Sequence, residues 1–368
     1  MFLYTPAMNW IPPDFPRHGR AAVSSRTGRF ESLQRAAIDD GWEDEEDGGA
    51  HPPLRTTVGI DRARRIIATN QSPDVPFDRS INPYQGCEHG CIYCFARPTH
   101  AYYGLSPGLD FETKLFQKPD APALLATELR QPRYRPAVIA LGANTDPYQP
   151  IERGLQLTRR ILQVLADFGH PVAIVTKSPL VTRDIDILAP MAAQNLAMVT
   201  LSVTTLDRRL ARCMEPRAAT PGRRLDAIRA LSAAGIPVSV LAAPMIPALN
   251  DAELEAILAA AAKAGACSAG YTLLRLPLEI RDLFVEWLNA NYRDRASHVM
   301  SLVRDTRGGA DYDSRWGLRR TGTGAYADLL AIRFRLARRK FGLDKRSLDL
   351  DLTRFRPPPV KGDQLTLF

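Results

Sequence analysis

GCEHGCIYCF, residues 86–95, places three of the five cysteines of this 368-residue chain within eight positions. Cys87, Cys91 and Cys94 are spaced C-x3-C-x2-C, just after the first strand that the sequence predicts. A [4Fe-4S] cubane is normally held by four thiolates, so three thiolates leave one iron without a protein ligand. An open coordination position for a substrate or cofactor is typical of catalytic metal sites. The loop therefore favours a catalytic metal centre.

The spacing of the thiols leaves other uses open. Five cysteines are few for a disulfide scaffold in a chain of this length. A structural zinc site usually has four protein ligands, often as two C-x2-C pairs, and the sequence has no second pair. His89 or His100 would have to complete a Cys3His zinc site. Cys213 and Cys267 stand apart, and we expect each to be a buried small hydrophobe.

Apolar runs alternate with amphipathic segments beyond the cysteine loop. The predicted strands are RSINPY (79–84), AVIALGA (137–143), PVAIVTKS (171–178), LAMVTLSV (196–203), IPVSVLAAPMI (236–246) and AGYTLLRLP (269–277). The predicted helices cover residues 121–130, 151–168, 183–194, 206–214, 222–235 and 251–265. Near-continuous apolar strands are typical of parallel strands covered on both faces. No GxGxxG follows the first strand, which argues against a dinucleotide-binding sheet. The alternation predicts an α/β fold, a partial (β/α)6 barrel.

Composition divides the chain into four parts. Residues 1–55 are rich in proline and charge without a persistent apolar period, which predicts a flexible, irregular N-terminal arm. Residues 56–278 make up the predicted barrel. Residues 279–345 predict a basic helical C-terminal extension, and residues 346–368 a proline-led tail.

The positive charge is concentrated near the C-terminus. The chain has 48 Lys and Arg against 40 Asp and Glu, a net charge of +8. Between residues 304 and 346, twelve Lys or Arg against five Asp leave +7. Such a stretch fits a surface that binds a polyanion such as DNA, with Trp316 available to stack on a base. A solvated basic helix face is the alternative.

Nothing in the sequence indicates a membrane protein. No apolar run approaches the roughly 20 residues that span a bilayer. The first residues lack a basic start followed by an apolar core, so no secretory signal is predicted. We expect a cytoplasmic protein with no membrane partner.

The stretch CEHGCIYC, residues 87–94, resembles the signature of the radical S-adenosylmethionine (SAM) enzymes, C-x3-C-x-aromatic-C. That family carries the signature on the loop after the first strand of a partial (β/α)6 barrel. The resemblance implies a [4Fe-4S] cluster on Cys87, Cys91 and Cys94 whose fourth iron chelates SAM. The reduced cluster then cleaves SAM to a 5′-deoxyadenosyl radical that abstracts hydrogen from a substrate. It also implies an electron donor such as flavodoxin or ferredoxin.

The resemblance assigns further residues at the strand ends, where barrel enzymes gather their sites. The SAM amino group is implied to contact Asn144, Thr145 and Asp146; the adenine Tyr93 and Met245; the ribose Ser202; and the SAM carboxylate Lys177. Arg275 is implied to contact either that carboxylate or an anionic substrate.

Four stretches resemble the spore photoproduct lyase branch of the family, also called DNA-repair-photolyase-like. They are NPYQGCEHGCIYCFAR, TDPYQPIE, TKSPLVTRDIDIL and MEPR with the following RLDAI, within residues 80–280. In the founding enzyme, which splits a joined thymine pair in DNA, a cysteine in the loop after strand two returns the hydrogen atom. Here Ala143 stands in that loop. Either Tyr148, Tyr271 or another donor replaces the cysteine, or the reaction differs.

The last five residues, QLTLF, resemble the peptide that binds the bacterial DNA sliding clamp. An extended peptide of this kind places Leu365, Leu367 and Phe368 in an apolar groove, while the amide of Gln364 sets the register. Docking of these residues on their own barrel is the alternative.

Together these features predict a radical SAM enzyme that acts on DNA, in repair or base modification, and is tethered to the sliding clamp. One alternative is a radical SAM enzyme acting on a peptide, a tRNA or a small metabolite. The other is a non-catalytic, zinc-stabilised DNA-binding protein.

Overall fold

The computed structural model describes residues 19–31, 54–344 and 349–359. Its main sheet has seven strands in the order β10-β9-β8-β7-β6-β3-β2. Six of them are parallel, and only β2 is antiparallel, paired to β3 at one edge. The strands are β2 (Ala68–Thr69), β3 (Arg79–Ile81), β6 (Ile139–Leu141), β7 (Val172–Thr176), β8 (Ala197–Ser202), β9 (Val238–Met245) and β10 (Ser268–Leu273).

The sheet is open, because β10 and β2 are its two edges and do not pair with each other. Helices that follow the parallel strands cover it, so this is the partial (β/α)6 barrel that the sequence predicts. Each predicted strand overlaps an observed strand of this sheet. Apolar side chains such as Ile139, Ile174, Val199 and Val240 are fully buried in a single core, as expected for strands covered on both faces.

The helices lie between the strands and beyond the last of them. Those in the barrel are α1 (Leu109–Thr113), α2 (Ala121–Leu129), α3 (Glu152–Leu155), α4 (Leu157–Asp167), α5 (Ile185–Ala193), α6 (Arg208–Met214), α7 (Pro221–Ala233) and α8 (Leu254–Ala264). Those beyond it are α9 (Ile280–Asn291), α10 (Arg293–Asp305), α11 (Leu318–Thr321) and α12 (Ala325–Lys340). No helix in the described part of the chain has both the length and the apolar composition required to span a membrane.

The helix predicted over residues 151–168 is interrupted. Gln156 adopts a left-handed backbone with φ 49° between α3 and α4. The buried carboxylate of Glu152 accepts hydrogen bonds from the amide of Thr158 at 3.0 Å and from the hydroxyl of Tyr84. These bonds tie the break to the strand that leads into the cysteine loop. The apolar period alone did not reveal it, because the pattern continues through the break.

A small second sheet lies beside the cysteine loop and was not predicted. It pairs β1 (Thr57–Ile60) in parallel with β5 (Lys114–Gln117), which pairs antiparallel with β4 (Tyr84–Gln85). Residues 19–31, within the arm predicted to be irregular, also have defined positions here, and Ala21 and Ala22 are buried. Both additions depend on contacts between distant parts of the chain.

The segment between α10 and α12 spans the gap between the two edges of the open sheet. Arg307 donates to the carbonyl of Leu274, just after β10, at 2.7 Å. At the other edge, Arg319 pairs with Asp74, in the connection between β2 and β3, and donates to Ser72 at 2.6 Å. The C-terminal extension therefore joins the two sheet edges that do not pair with each other.

Residues 349–359 pack against the end of the barrel opposite the one that carries the cysteine loop. The amide of Asp351 donates to the carbonyl of Asn195 at 2.9 Å, and the amide of Arg356 to that of Phe168 at 2.9 Å. The ring of Phe355 packs edge-on against His170, with centroids 5.5 Å apart. These contacts precede β7 and β8, so the chain reaches residue 359 at the N-terminal ends of the strands.

Candidate metal centre and cofactor site

The three clustered cysteines lie on the loop that follows β4. All three are free thiols, with Cys87 and Cys91 buried and Cys94 half-buried. The Cys87 amide donates to the carbonyl of Phe111 at 3.0 Å, and the Cys94 amide to that of Cys91 at 3.2 Å. Burial raises the pKa of each of the three thiols. A bound metal cation would favour the thiolate that burial disfavours.

A buried ion pair holds this loop in place. The guanidinium of Arg97 donates to the carbonyl of Cys91 at 2.9 Å, to that of Gly90 at 2.9 Å and to that of Gly108 at 2.9 Å. It also pairs with the carboxylate of Glu112, and neither side chain is exposed. The backbone that carries the second and third cysteines is therefore fixed from inside the protein.

The carboxylate of Glu112 connects three separate segments. Its two oxygens accept the amides of Ala21 at 3.1 Å and Ala22 at 3.0 Å, besides the guanidinium of Arg97. Gly90 has φ +65°, and a Cβ there would lie 2.7 Å from Glu112 Oε2. Glycine is thus required both by the left-handed backbone and by the close approach of the carboxylate.

The loop after β6 binds the other side of the cysteine loop. Gln149 accepts the amide of Glu88 at 2.9 Å and donates to the carbonyl of Gly86 at 3.2 Å. Thr145 donates through its hydroxyl to the carbonyl of Tyr84 at 2.7 Å. Two loops that are about 60 residues apart in the sequence are therefore joined directly at the site.

Asp146 lies at the centre of the strand-end loops. It accepts the Thr176 hydroxyl at 2.7 Å and the Lys177 amide at 2.8 Å, and His89 Nδ1 lies 3.3 Å from Asp146 Oδ2. Burial by itself would raise the pKa of Asp146, but the charge and hydrogen bond of His89, together with the Thr176 and Lys177 bonds, lower it to about 2. These partners make Asp146 a brace between the cysteine loop and the end of β7.

Tyr93, the aromatic residue of the cysteine motif, is held by a buried polar network. Its hydroxyl bonds the carboxylate of Glu215 and lies 3.2 Å from the hydroxyl of Thr204. Glu215 in turn pairs with Arg224, which donates to the carbonyl of Ser202 at 3.1 Å. The network connects the cysteine loop with the ends of β8 and α6.

Among the residues predicted at the strand ends, Lys177 lies against the cysteine loop. The Lys177 ammonium is 5.7 Å from the centroid of the Tyr93 ring. The amide of Asn144 donates to the side chain of Asn82 at 3.0 Å. Ser202 and Met245 end β8 and β9, and both are buried.

Arg275 follows β10 and reaches, from the far edge of the sheet, the residue directly after the third cysteine. Its guanidinium carbon lies 5.4 Å from the centroid of Phe95, which directly follows Cys94. The ring of Phe95 is 46% exposed. The last parallel strand is thereby connected to the cysteine loop across the mouth of the barrel.

The two tyrosines considered as hydrogen donors contact side chains outside the cysteine loop. Tyr148 is fully buried, and its hydroxyl donates to Asp184 at 3.0 Å. The ring of Tyr271 packs against Phe334 of α12, with centroids 4.6 Å apart, on the outer side of β10.

The two histidines considered as zinc ligands contact other groups. Within the described ranges, no three His, Cys, Asp or Glu side chains are grouped closely enough to hold one metal ion. His89 contacts Asp146, and Nε2 of His100 bonds the carbonyl of Lys114 at 2.9 Å. Each of these histidines therefore has one ring nitrogen engaged by another group, and neither is in place as a zinc ligand through that nitrogen.

The buried polar residues that support this site were not predicted from the sequence. Arg97, Glu112, Thr204, Glu215 and Arg224 are buried charged or polar residues that hold the cysteine loop and Tyr93. A signal existed for some of them, because Arg97 and Glu215 occur in the quoted stretches NPYQGCEHGCIYCFAR and MEPR. The predicted partner-binding residues Gln364, Leu365, Leu367 and Phe368 lie outside the described residues.

Comparison with known proteins places this chain among related sequences. A protein-family model described as the radical SAM superfamily matches residues 81–261. An uncharacterized protein of Mycobacterium tuberculosis strain H37Rv is 39% identical over 242 residues, covering 64% of this chain and 71% of that protein. An uncharacterized protein of Methanocaldococcus jannaschii is 30% identical over 192 residues, covering 52% of this chain and 69% of its own length.

Solved structures of spore photoproduct lyase share the fold. One variant superimposes with a TM-score of 0.55 at 16% identity, covering 78% of this chain and 79% of the other. Another variant, with bound AdoMet and dinucleoside spore photoproduct, has a TM-score of 0.53 at 15% identity and covers 77% and 78%. At this level of identity the likeness concerns the fold.

Proposed function

The chain belongs to the radical SAM superfamily, and from that premise we propose that it abstracts hydrogen from DNA, in repair or base modification. Members of the family use a [4Fe-4S] cluster and SAM, and this chain is an enzyme of that class. When bound, the two supply reductive cleavage of a sulfonium and a radical that removes hydrogen from carbon. The protein supplies binding, orientation and exclusion of water.

The observation that carries the proposal is the three-thiol loop at the mouth of the barrel. Cys87, Cys91 and Cys94 would hold the cluster, and the other two cysteines lie outside the loop, Cys213 in α6 and Cys267 just before β10. The loop is braced by Arg97 on one side and by Gln149 on the other. A rigid loop with an open position suits a cluster that also binds a small cofactor.

The surrounding side chains have distinct roles in this proposal. Tyr93 presents its ring because Glu215 and Thr204 hold its hydroxyl. Lys177 presents a positive charge over that ring, where it would bind the SAM carboxylate. Asp146 orients Lys177 through its backbone amide, so the carboxylate acts by positioning. Ser202 and Asn144 stand at the strand ends where the ribose and amino group would lie.

The basic surface of the C-terminal extension, residues 279–345, supports DNA as the substrate. Part of its positive charge is neutralised from elsewhere in the fold, since Arg319 pairs with Asp74 and Arg333 with Glu255. Exposed basic residues remain on α12, and Trp316 is 60% exposed. Basic side chains and an exposed aromatic ring are the combination that binds nucleic acid through phosphate contact and stacking. A spore photoproduct lyase of the same fold is bound to a dinucleoside spore photoproduct.

Anaerobic reconstitution tests the chemistry first. After loading with iron and sulfide, the expected result is about four irons per chain, and 5′-deoxyadenosine should form with dithionite and SAM. Damaged and undamaged oligonucleotides carrying deuterated nucleotides are then added, and 5′-deoxyadenosine is analysed for deuterium. Deuterium transfer identifies DNA as the hydrogen source, and the fate of SAM, consumed or regenerated, separates oxidoreductase from lyase chemistry. SAM cleavage without transfer from any DNA would refute the substrate but not the class, and peptides and tRNA would be assayed next.

Two partners complete the proposal. The tail QLTLF would bind the DNA sliding clamp, and a small electron carrier such as flavodoxin or ferredoxin would reduce the cluster. Residues 349–359 support the first, because they anchor the chain at the end of the barrel opposite the cysteine loop. A tail leaving from there would hold the protein on the clamp without obstructing the mouth.

A further inference from the structure

Three arginines converge beyond the C-terminal end of β10. The guanidinium of Arg307 donates to the carbonyl of Leu274 at 2.7 Å and to that of Leu318 at 2.8 Å. It is thereby placed beside Arg275 and close to Arg320, which donates to the carbonyl of Asp74. They come from the segment after β10, from the segment after α10 and from α11, so only the closure of the two sheet edges brings them together.

The carboxylates of Asp74 and Asp313 lie near this group, but each already forms an ion pair with another arginine. Asp74 pairs with Arg319, and Asp313 pairs with Arg315. Burial, and then the charge of Arg275, lower the pKa of Arg320. A guanidinium held near others in a partly buried place is costly unless an anion joins them.

Two donors of the group are also unsatisfied. Nε of Arg275 and Nε of Arg307 are buried and have no hydrogen-bond partner among the described residues. The side chain of Arg307 is only 4% exposed, so its burial is nearly complete. Buried donors in folded proteins are normally paired, and an unpaired one calls for a ligand or another explanation.

Exposed aromatic rings accompany two of these arginines. Phe95 stacks against Arg275 with nearly half of its ring exposed, directly after the third cysteine. Trp316 is exposed in the segment that carries Arg320. Cationic forks beside exposed rings match a nucleotide, whose phosphate takes the charge and whose base takes the stacking.

We propose that Arg275, Arg307 and Arg320 form a phosphate-binding subsite that holds one backbone phosphate of the DNA substrate beside the cysteine loop. The subsite rests on the proposed function for the identity of the ligand. Guanidinium groups suit a phosphate because their planar donors bind two oxygens at once. Phe95 takes the base next to that phosphate. A nucleotide held here is outside a continuous base stack, as enzymes that react on a base require.

The test measures the coupling between one arginine and one phosphate. Single-stranded oligonucleotides, each with one phosphate replaced by an uncharged methylphosphonate, are bound to the cluster-loaded full chain and their anisotropy is followed. One replacement should weaken binding to the unchanged chain by about tenfold. The same replacement should weaken binding less in Arg275→Gln, since that variant has already lost the contribution of one of the three arginines. Equal penalties in both proteins at every position would overturn the subsite.

Control variants separate a local effect from a general one. Arg133→Gln removes the same charge from an exposed position before β6, at the other end of the barrel, and should keep the penalty pattern of the unchanged chain. Arg275→Lys keeps the charge but loses the planar fork, so its affinity for the oligonucleotide should lie between those of the unchanged chain and Arg275→Gln. Iron content and thermal unfolding of each variant verify that the cysteine loop is intact.

A probe without DNA distinguishes the two proposals. Pyrophosphate is titrated by calorimetry into the unchanged chain and into Arg275→Gln. Binding that disappears in Arg275→Gln, with no binding of any oligonucleotide, would support the subsite and refute DNA as its ligand. If both proteins bind oligonucleotides equally and pyrophosphate binding does not depend on Arg275, the result would support DNA as the substrate and refute the phosphate-binding subsite.

Discussion

The guanidinium of Arg97 forms an ion pair with the carboxylate of Glu112 in which neither side chain has any exposure to solvent. Arg97 follows the third cysteine by three positions, and Glu112 lies in α1. The pair thus connects the backbone of the cysteine loop to α1. The same Glu112 carboxylate also accepts backbone amides from residues 19–31. A charge buried this completely is stable only with its partner.

Glu112→Gln should lower the free energy of unfolding by about 3 to 5 kcal/mol, because Arg97 would keep a buried charge without a counter-ion. Denaturant unfolding measures the loss, and iron content after reconstitution should fall with it. Glu255→Gln is the matched control, since it removes the half-exposed partner of Arg333 and should cost no more than about 1 kcal/mol. Equal losses in the two variants would contradict a structural role for the buried pair.

Cys91→Ala should abolish the visible absorbance of the reconstituted protein, because two thiolates are too few to hold the cluster. Cys213→Ala is the control, a free cysteine in α6 outside the loop, and it should retain both the absorbance and the iron. Retention of the cluster in Cys91→Ala would show that the ligand assignment is wrong.

Tyr93→Phe should destabilise the protein by about 1 to 2 kcal/mol while leaving SAM binding nearly unchanged. The variant removes the hydroxyl that bonds Glu215 and Thr204 but keeps the ring beneath Lys177. Tyr93→Leu removes both and should weaken SAM binding as well. Calorimetric titration of SAM into both variants measures the difference, and an equal loss of affinity would mean that the ring itself contributes nothing.

Acidification should destabilise the end of the barrel that carries residues 349–359. Burial lowers the pKa of His170 from 6.5 to about 4, so the unfolded chain binds more protons than the folded one between these values. The free energy of unfolding should therefore fall as the pH drops from 6.5 to 4. His170 bonds Tyr134 at 2.7 Å, and His170→Gln should show a shallower fall over the same window. An unchanged slope would exclude His170 as a source of this pH dependence.

Deletion of residues 364–368 should abolish clamp binding and leave both SAM cleavage and thermal unfolding unchanged. The expected reason is that Leu365, Leu367 and Phe368 supply the apolar contacts of the peptide. Surface plasmon resonance on immobilised clamp measures the first, and 5′-deoxyadenosine formation the second. Clamp binding that survives the deletion would remove the tail from the proposal.

Much of the fold was predictable because its strands are local in sequence. Runs such as AVIAL and VAIVT are apolar on both faces, and each contains a strand of the structure. The order of the parallel strands follows chain order from β6 to β10, so no long-range information was required to place them. The small sheet was missed because β1 pairs with β5, about 55 residues away, through only four residues on each side.

The candidate site, too, has a part that can be recognised from the sequence and a part that only the structure shows. Cys87, Cys91, Cys94 and Tyr93 are recognisable because their spacing within one loop is itself the chemical pattern. Asp146 was predicted by resemblance to contact the cofactor, and the structure adds that its carboxylate already binds Thr176, Lys177 and His89. A carboxylate's partners depend on which loops meet, which spacing along the chain does not record.

The (β/α) alternation and the three-thiol loop can be recognised from the sequence, since each depends on residues close together along the chain. The tertiary structure fixes what holds that loop, because Arg97 requires Glu112 and Tyr93 requires Glu215, each from another element. It also decided that Arg275 meets Arg307 and Arg320, through a C-terminal segment that joins two sheet edges. Burial gives these charges their energetic weight, and burial is a property of the folded chain alone.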